Sequence, residues 1–324
     1  MNDVVMHLLV YLPLLFPVSA APAARPLADR LDPRLATWLL TASALALAGL
    51  SCAALGVLAA AGVVRLPLAA YVGHWSAATV RAGDPVSTIE AVAAAAVLAA
   101  AAGAGLRMLW RRMRALAAAA FEAACLPGRG QLVVVDDAAP DAYALPGLPG
   151  RIVVSTGMLD ALDPADREAM LAHERAHLAC HHYAFVAVAH LAAAVNPLLR
   201  PVATAVAYTV ERWADERAAT VCGDRRQVAR AVGKAALATA HRPARRRLPD
   251  AVLGLLGRRR GPLATAGPVP RRVAALLAEP TTSFTQLGVP LLPLAGATAV
   301  VGSSALCAFA AAHDLHLLLE LAGA

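Results

Sequence analysis

The chain has 324 residues, of which 59% are hydrophobic, 4% aromatic and 16% charged. A soluble domain of average make-up carries about 25% charge and roughly 45–50% apolar residues, so this composition argues against a plain cytosolic enzyme and excludes a disordered chain. The scarcity of aromatic residues argues against an outer-membrane barrel with aromatic girdles. The net charge of +7 sits in one block: residues 111–280 hold 23 basic against 15 acidic side chains, and 281–324 hold only Asp314 and Glu320. Lys234 is the single lysine, an Ala/Arg bias that fits a GC-rich bacterial genome. Cys52, Cys125, Cys180, Cys222 and Cys307 lack CxxC spacing and read as reduced thiols.

Four stretches reach the 20 or so apolar residues that a membrane span needs. The first lies between Asp3 and Arg25. It lacks a basic leader region, so it reads as an uncleaved span and not as a signal peptide. The second lies between Arg34 and Arg65, and the third runs over about 86–106. The fourth lies between Glu279 and Asp314, interrupted early by Pro290 and Pro293. The strongest basic cluster, Arg107, Arg111, Arg112 and Arg114, follows the third span and should face the cytoplasm. This predicts a membrane domain over 1–110, a cytoplasmic domain over 111–280, and a last span with a short outer tail over 281–324.

The central block reads as α+β. Gln131–Asp136 and Arg151–Ser155 are β-branched runs bounded by turn residues, hence two strands. The second could be an edge that pairs with an extended substrate, or simply a core strand. Asp163 suits an N-cap and Pro164 the first helical position, so a helix over Pro164–Cys180 should follow.

That helix carries His173-Glu174-Arg175-Ala176-His177. Histidines at i and i+4 share one face and can hold one metal ion between them, and neutral imidazole suits Zn²⁺. Glu174 beside them is placed to act as a general base. A catalytic zinc takes three protein ligands and keeps one open position. Glu211, 34 residues after His177, is the candidate third ligand. Asp215, one turn on, can orient a ligand histidine by accepting its other N–H.

Residues 183–210 are long enough for an extra span. A full crossing would put His177 and Glu211 on opposite sides of the membrane, so a helical hairpin broken at Asn196-Pro197 is expected instead. His181 and His182 read as solvated, and His190 as a satisfied core histidine. The Arg245–Arg247, Arg258–Arg260 and Arg271-Arg272 clusters read as a basic loop facing anionic lipid. No nucleic-acid-binding fold accompanies them.

The HERAH and ERWADE motifs, with the preceding RIVVSTGMLDALDPADREAMLAHERAH run, resemble the membrane gluzincin metallopeptidases. Three spans, a basic turn, the catalytic domain and a fourth span resemble metallopeptidase family 56, the BlaR/MecR-type antirepressor proteases. Asn196-Pro197-Leu198 also resembles that branch. The Ala214-Asp215 step of ERWADE resembles family 48, the HtpX and CAAX-prenyl endopeptidase type. The BlaR/MecR plan continues into a large extracellular penicillin-binding domain, whereas only ten residues follow Asp314 here, so direct β-lactam sensing is not expected.

Taken together, the reading is a mainly α-helical integral membrane protein with about four transmembrane helices and a cytoplasmic α+β gluzincin domain. It expects one Zn²⁺ per chain, held by His173, His177 and Glu211, with Glu174 as catalytic base and Asp215 behind one of the ligand histidines. The expected partners are a protein or peptide substrate, a cytoplasmic repressor among the candidates, and the lipid bilayer. A zinc-stabilised scaffold or sensor without activity is the rival from another class.

Overall fold

The computed structural model describes residues 3–67, 86–128, 130–240, 253–254 and 268–279, with scattered positions within 71–76 and 299–320. Helix α1 spans Asp3–Arg30, although the side chains of its residues 3–10 lie outside the described set. Asp32 then caps α2 (Pro33–Val64): its carboxylate accepts from Leu35 N, and Pro33 takes the first turn, where no backbone N–H is needed. Helix α3 (Thr88–Cys125) opens with a reciprocal capping box between Ser87 and Glu90.

Helices α2 and α3 are the two described helices long and apolar enough to cross a membrane. At 38 residues α3 is about 57 Å long, nearly twice a hydrocarbon core of about 30 Å. It runs without a break past the predicted boundary at 110/111, so the Arg107–Arg114 cluster rides on the same rod as the third span. The predicted fourth span lies outside the described residues, apart from scattered positions.

Four strands follow the order β1-β3-β2-β4, with β1 Leu132–Val135, β2 Ala142–Leu145, β3 Arg151–Ser155 and β4 Leu253–Gly254. Strand β1 runs parallel to β3, whereas β2 is antiparallel to both β3 and β4. Both predicted strands form. The edge reading of Arg151–Ser155 is corrected, because β3 lies between β1 and β2 and is buried along its whole length.

Helix α4 (Thr156–Ala161) leads into α5 (Pro164–Ala179), where Asp163 caps Asp166 N as expected. Helix α6 (His182–Val195) stops at Asn196, whose side chain caps a short 3₁₀ turn at Pro197–Leu199. Helix α7 (Arg200–Cys222) returns, so the hairpin predicted at Asn196-Pro197 is the one formed. It ends at Gly223, whose φ of 71° is the left-handed conformation that glycine adopts without strain. Helices α8 (Arg225–Ala240) and α9 (Pro268–Leu277) complete the domain. Helices α5 and α6 together are apolar enough for a broken span but bend by 60°. We read α5 as part of the domain, because it packs on the sheet, α7 and α8.

Two apolar cores share helix α7. Its first half, including Val206 and Val210, packs with Leu27 of α1, Leu40 and Leu47 of α2 and Ala189 of α6. Its second half, including Ala218 and Ala219, packs with Ile152, Val154, Met170, Val232 and Leu276. Each fully buried Leu or Val contributes about 1.5–3 kcal/mol. Two polar ties fix the register in the first core: Thr37 Oγ1 donates to Thr209 Oγ1 at 2.9 Å, and Asn196 Nδ2 to Ser51 Oγ at 3.1 Å. The residues of α7 around position 211 therefore stand where the candidate membrane helices meet the sheet-bearing part.

Candidate metal centre

Helices α5 and α7 lie side by side, and this brings the sequence-predicted residues together. His173, His177 and Glu211 offer ligand atoms within 4.8 Å of one another, and all three residues are buried. His173 Nε2 and His177 Nε2 are 3.0 Å apart. Glu211 Oε2 lies 3.7 Å from His173 Nε2, and Oε1 lies 3.6 Å from His177 Nε2. With zinc–nitrogen bonds of about 2.0–2.1 Å, tetrahedral ligand atoms stand about 3.3 Å apart, so the three spacings bracket what one ion requires.

The opposite ring nitrogens each have a close polar neighbour. His173 Nδ1 lies 3.0 Å from Asp215 Oδ1, which fits the predicted orienting role of Asp215. His177 Nδ1 lies 3.0 Å from His182 Nδ1, one of the pair donating. When His173 and His177 carry their protons on Nδ1, both Nε2 lone pairs face the same point. That arrangement is repulsive unless a cation stands between them, so the donor set fits a metal ion.

Glu174 is fully buried, and neither of its carboxylate oxygens has a partner among the described residues. Burial raises it to about 8, far above an ordinary carboxylate. Burial alone would also lower His173, but its contacts with Asp215 and Glu211 outweigh this and raise it to about 9. Burial lowers His177 well below the usual histidine value.

Two residues of the centre were not foreseen. The first is His182, expected in solvent but fully buried, with its ring 4.7 Å from that of Trp213. The left-handed turn at His181 (φ 51°) directs the chain into α6 and leaves His181 itself exposed. His190 is half-buried on α6. The second is Arg272 of α9, read beforehand as part of a lipid-facing basic loop but only 1% exposed. Its Nη1 donates to Glu211 Oε2 at 2.7 Å, Nε to Asp215 Oδ2 at 2.7 Å, and Nη2 to Asp215 Oδ1 at 2.6 Å. Burial would raise both carboxylates, but Arg272 holds Glu211 at about 2 and Asp215 well below its usual value. The available signal is helical spacing: Val269 and Leu276, three residues before and four after Arg272, put it on the apolar face of the short helix.

A buried His-His-Glu cluster beside a carboxylate with no partner among the described residues, on a chain with apolar helices, fits a membrane-associated metalloenzyme. The model of peptidase family M48 matches residues 106–279, from the middle of α3 to just past α9. The match covers more than half of the chain, which therefore belongs to this family of metal-dependent peptidases. Neither the curated proteins nor the solved structures contain a match. The branch matched is the one that the Ala214-Asp215 step resembles; family 56, which the span layout and Asn196-Pro197-Leu198 resemble, is not shown.

Proposed function

We propose that this chain is a membrane-anchored zinc endopeptidase of the HtpX type, cutting protein substrates at the cytoplasmic membrane face. The observation that carries this reading is the buried His173, His177 and Glu211 triad beside the Glu174 carboxylate, which has no partner among the described residues. Zinc, when bound, supplies a Lewis acid that polarises a carbonyl and makes water more acidic. Glu174 takes a proton from the attacking water and returns it to the leaving amine. Its burial suits the second half of that cycle, because a carboxyl raised to about 8 can hold a proton near neutral pH until the amine leaves. Asp215 and His182 keep the two imidazoles oriented, and Arg272 keeps Glu211 ionised.

Metal content tests the ligand set directly. The purified chain should hold about one zinc ion, and His173→Ala or His177→Ala should remove it. Full zinc occupancy in the double variant would refute the assignment.

The division into a membrane part over 1–110, a catalytic part over 111–280 and a last span over 281–324 belongs to the same proposal. A cytoplasmic reporter fused after Pro280 should be active, and one fused after Ala324 inactive. The opposite pattern would put the catalytic part outside and exclude any intracellular substrate. A regulatory antirepressor role is the second reading, favoured by the span layout and Asn196-Pro197-Leu198. Cleavage of a co-expressed repressor, with unfolded membrane proteins left intact, would select it.

A further inference from the structure

The two residues that adjoin the metal centre in sequence, Arg212 after Glu211 and Arg271 before Arg272, both reach the end of helix α1. Arg212 is buried, and its Nη1 donates to Ala28 O at 2.7 Å and Asp29 O at 3.2 Å, with Leu31 O at 3.5 Å. Ala28 and Asp29 are in the last turn of α1, where carbonyls lack partners within the helix and the dipole end is negative. A buried guanidinium satisfies both the hydrogen bonding and the charge of such an end. Arg271 pairs with the Asp29 carboxylate, and its guanidinium carbon sits 4.0 Å from the centroid of the Tyr208 ring.

These contacts lie on one stripe. Tyr208, Glu211, Arg212 and Asp215 occupy positions i, i+3, i+4 and i+7 of α7 and share a face. Along that stripe, Tyr208 and Arg212 meet α1 and Arg271, whereas Glu211 and Asp215 meet Arg272 and the histidines. The α1 end is also the start of the α1–α2 turn, since Asp32 immediately afterwards caps the candidate membrane helix α2.

We propose that Asp29, Arg212 and Arg271 form a positioning clamp: the end of α1 fixes the Glu211, Asp215 and Arg272 arrangement and so sets the affinity for the metal. None of the three touches the ligand atoms. They act through the backbone, because Arg212 is bonded to Glu211 and Arg271 to Arg272. Metal–ligand distances in well-formed sites hold to about 0.2 Å, so a small shift of Glu211 on α7 against the histidines of α5 registers as lost affinity. Any force on α1 or on the α1–α2 turn then reaches the centre through these three side chains. The proposal rests on the metal-centre reading given above.

The experiment uses the full chain in detergent and reads zinc affinity by chelator competition, alongside thermal unfolding of the metal-free protein. Asp29→Arg and Arg271→Asp should each weaken zinc binding by about several-fold, less than the roughly 10–100-fold of a group bonded directly to a ligand, because the pair is part-exposed and acts one residue removed. The combined charge swap should recover most of that loss, because the two sites are coupled. Arg212→Met and the milder Asp29→Asn should weaken binding in the same direction without rescue. A simple structural cap would lower the unfolding temperature alone, so wild-type zinc affinity in all single variants overturns the clamp. Additive loss in the charge swap overturns it too. A wild-type chain that binds no zinc refutes the metal-centre reading itself, and the clamp with it.

Discussion

Glu174→Gln should abolish peptide cleavage, a loss of about 10²–10⁴-fold, while zinc content stays near wild type. The geometry separates these two effects. The ligand atoms come from His173, His177 and Glu211, so exchanging the neighbouring carboxylate for an amide leaves the cluster intact. Glutamine keeps the size of the side chain but cannot accept a proton at neutral pH. The unfolding temperature should hold or rise. Both oxygens of Glu174 are buried without a partner among the described residues, and its carboxyl, raised to about 8, must take up a proton on folding at neutral pH, a cost that a neutral amide does not carry. Catalytic groups kept at the expense of stability behave in this way. Cleavage of a verified substrate by Glu174→Gln at the wild-type rate would remove the peptidase mechanism and leave a structural zinc site. A variant that loses zinc would instead show that Glu174 belongs to the ligand set.

Much of the centre is visible in the sequence because helical periodicity makes it local. His173 and His177 must share a face of α5 wherever that helix goes, and Glu211 and Asp215 must share a face of α7. Their meeting across 34 residues is also constrained, because the Asn196-Pro197 break turns the intervening chain back on itself. The strands at 132–135 and 151–155 carry β-branched runs and are equally legible. Strand β2 is not. Ala142–Leu145 is an alanine-rich segment of low β propensity, and it becomes a strand through pairing with β3 on one side and β4 on the other. His182 and Arg272 fail for a related reason. Both are polar residues whose burial is decided by neighbours far away in the chain, Trp213 for one and Glu211 with Asp215 for the other. Composition assigns such residues to the surface, and only the tertiary contacts place them inside.

Arg272→Met should cost about 3–5 kcal/mol of stability at neutral pH and lower zinc affinity, because it removes the larger of the two counter-charges, Arg272 and His173, that face the buried carboxylates of Glu211 and Asp215. Methionine fills similar volume, so loss of packing is a small part of the effect. Arg272→Lys should fall between wild type and Arg272→Met. A single ammonium cannot reproduce the fork that bonds Asp215 with two nitrogens and Glu211 with a third. The pH dependence identifies the cause. Glu211 is held at about 2 against an ordinary value of 4.5, and Asp215 is also depressed. A depressed folded-state pKa gives stability that is fully present above the unfolded value and is lost as pH falls through the folded one. The metal-free wild type should therefore lose this contribution between about pH 4.5 and pH 2. Without the guanidinium the carboxylates return upward, so the acid transition of Arg272→Met should begin at higher pH, and the gap to wild type should narrow once both are protonated. Denaturant unfolding of the metal-free proteins across that pH range measures this convergence. A gap that stays constant down to pH 2 would mean that Arg272 stabilises by packing, and the carboxylates would then need another source for their ionisation.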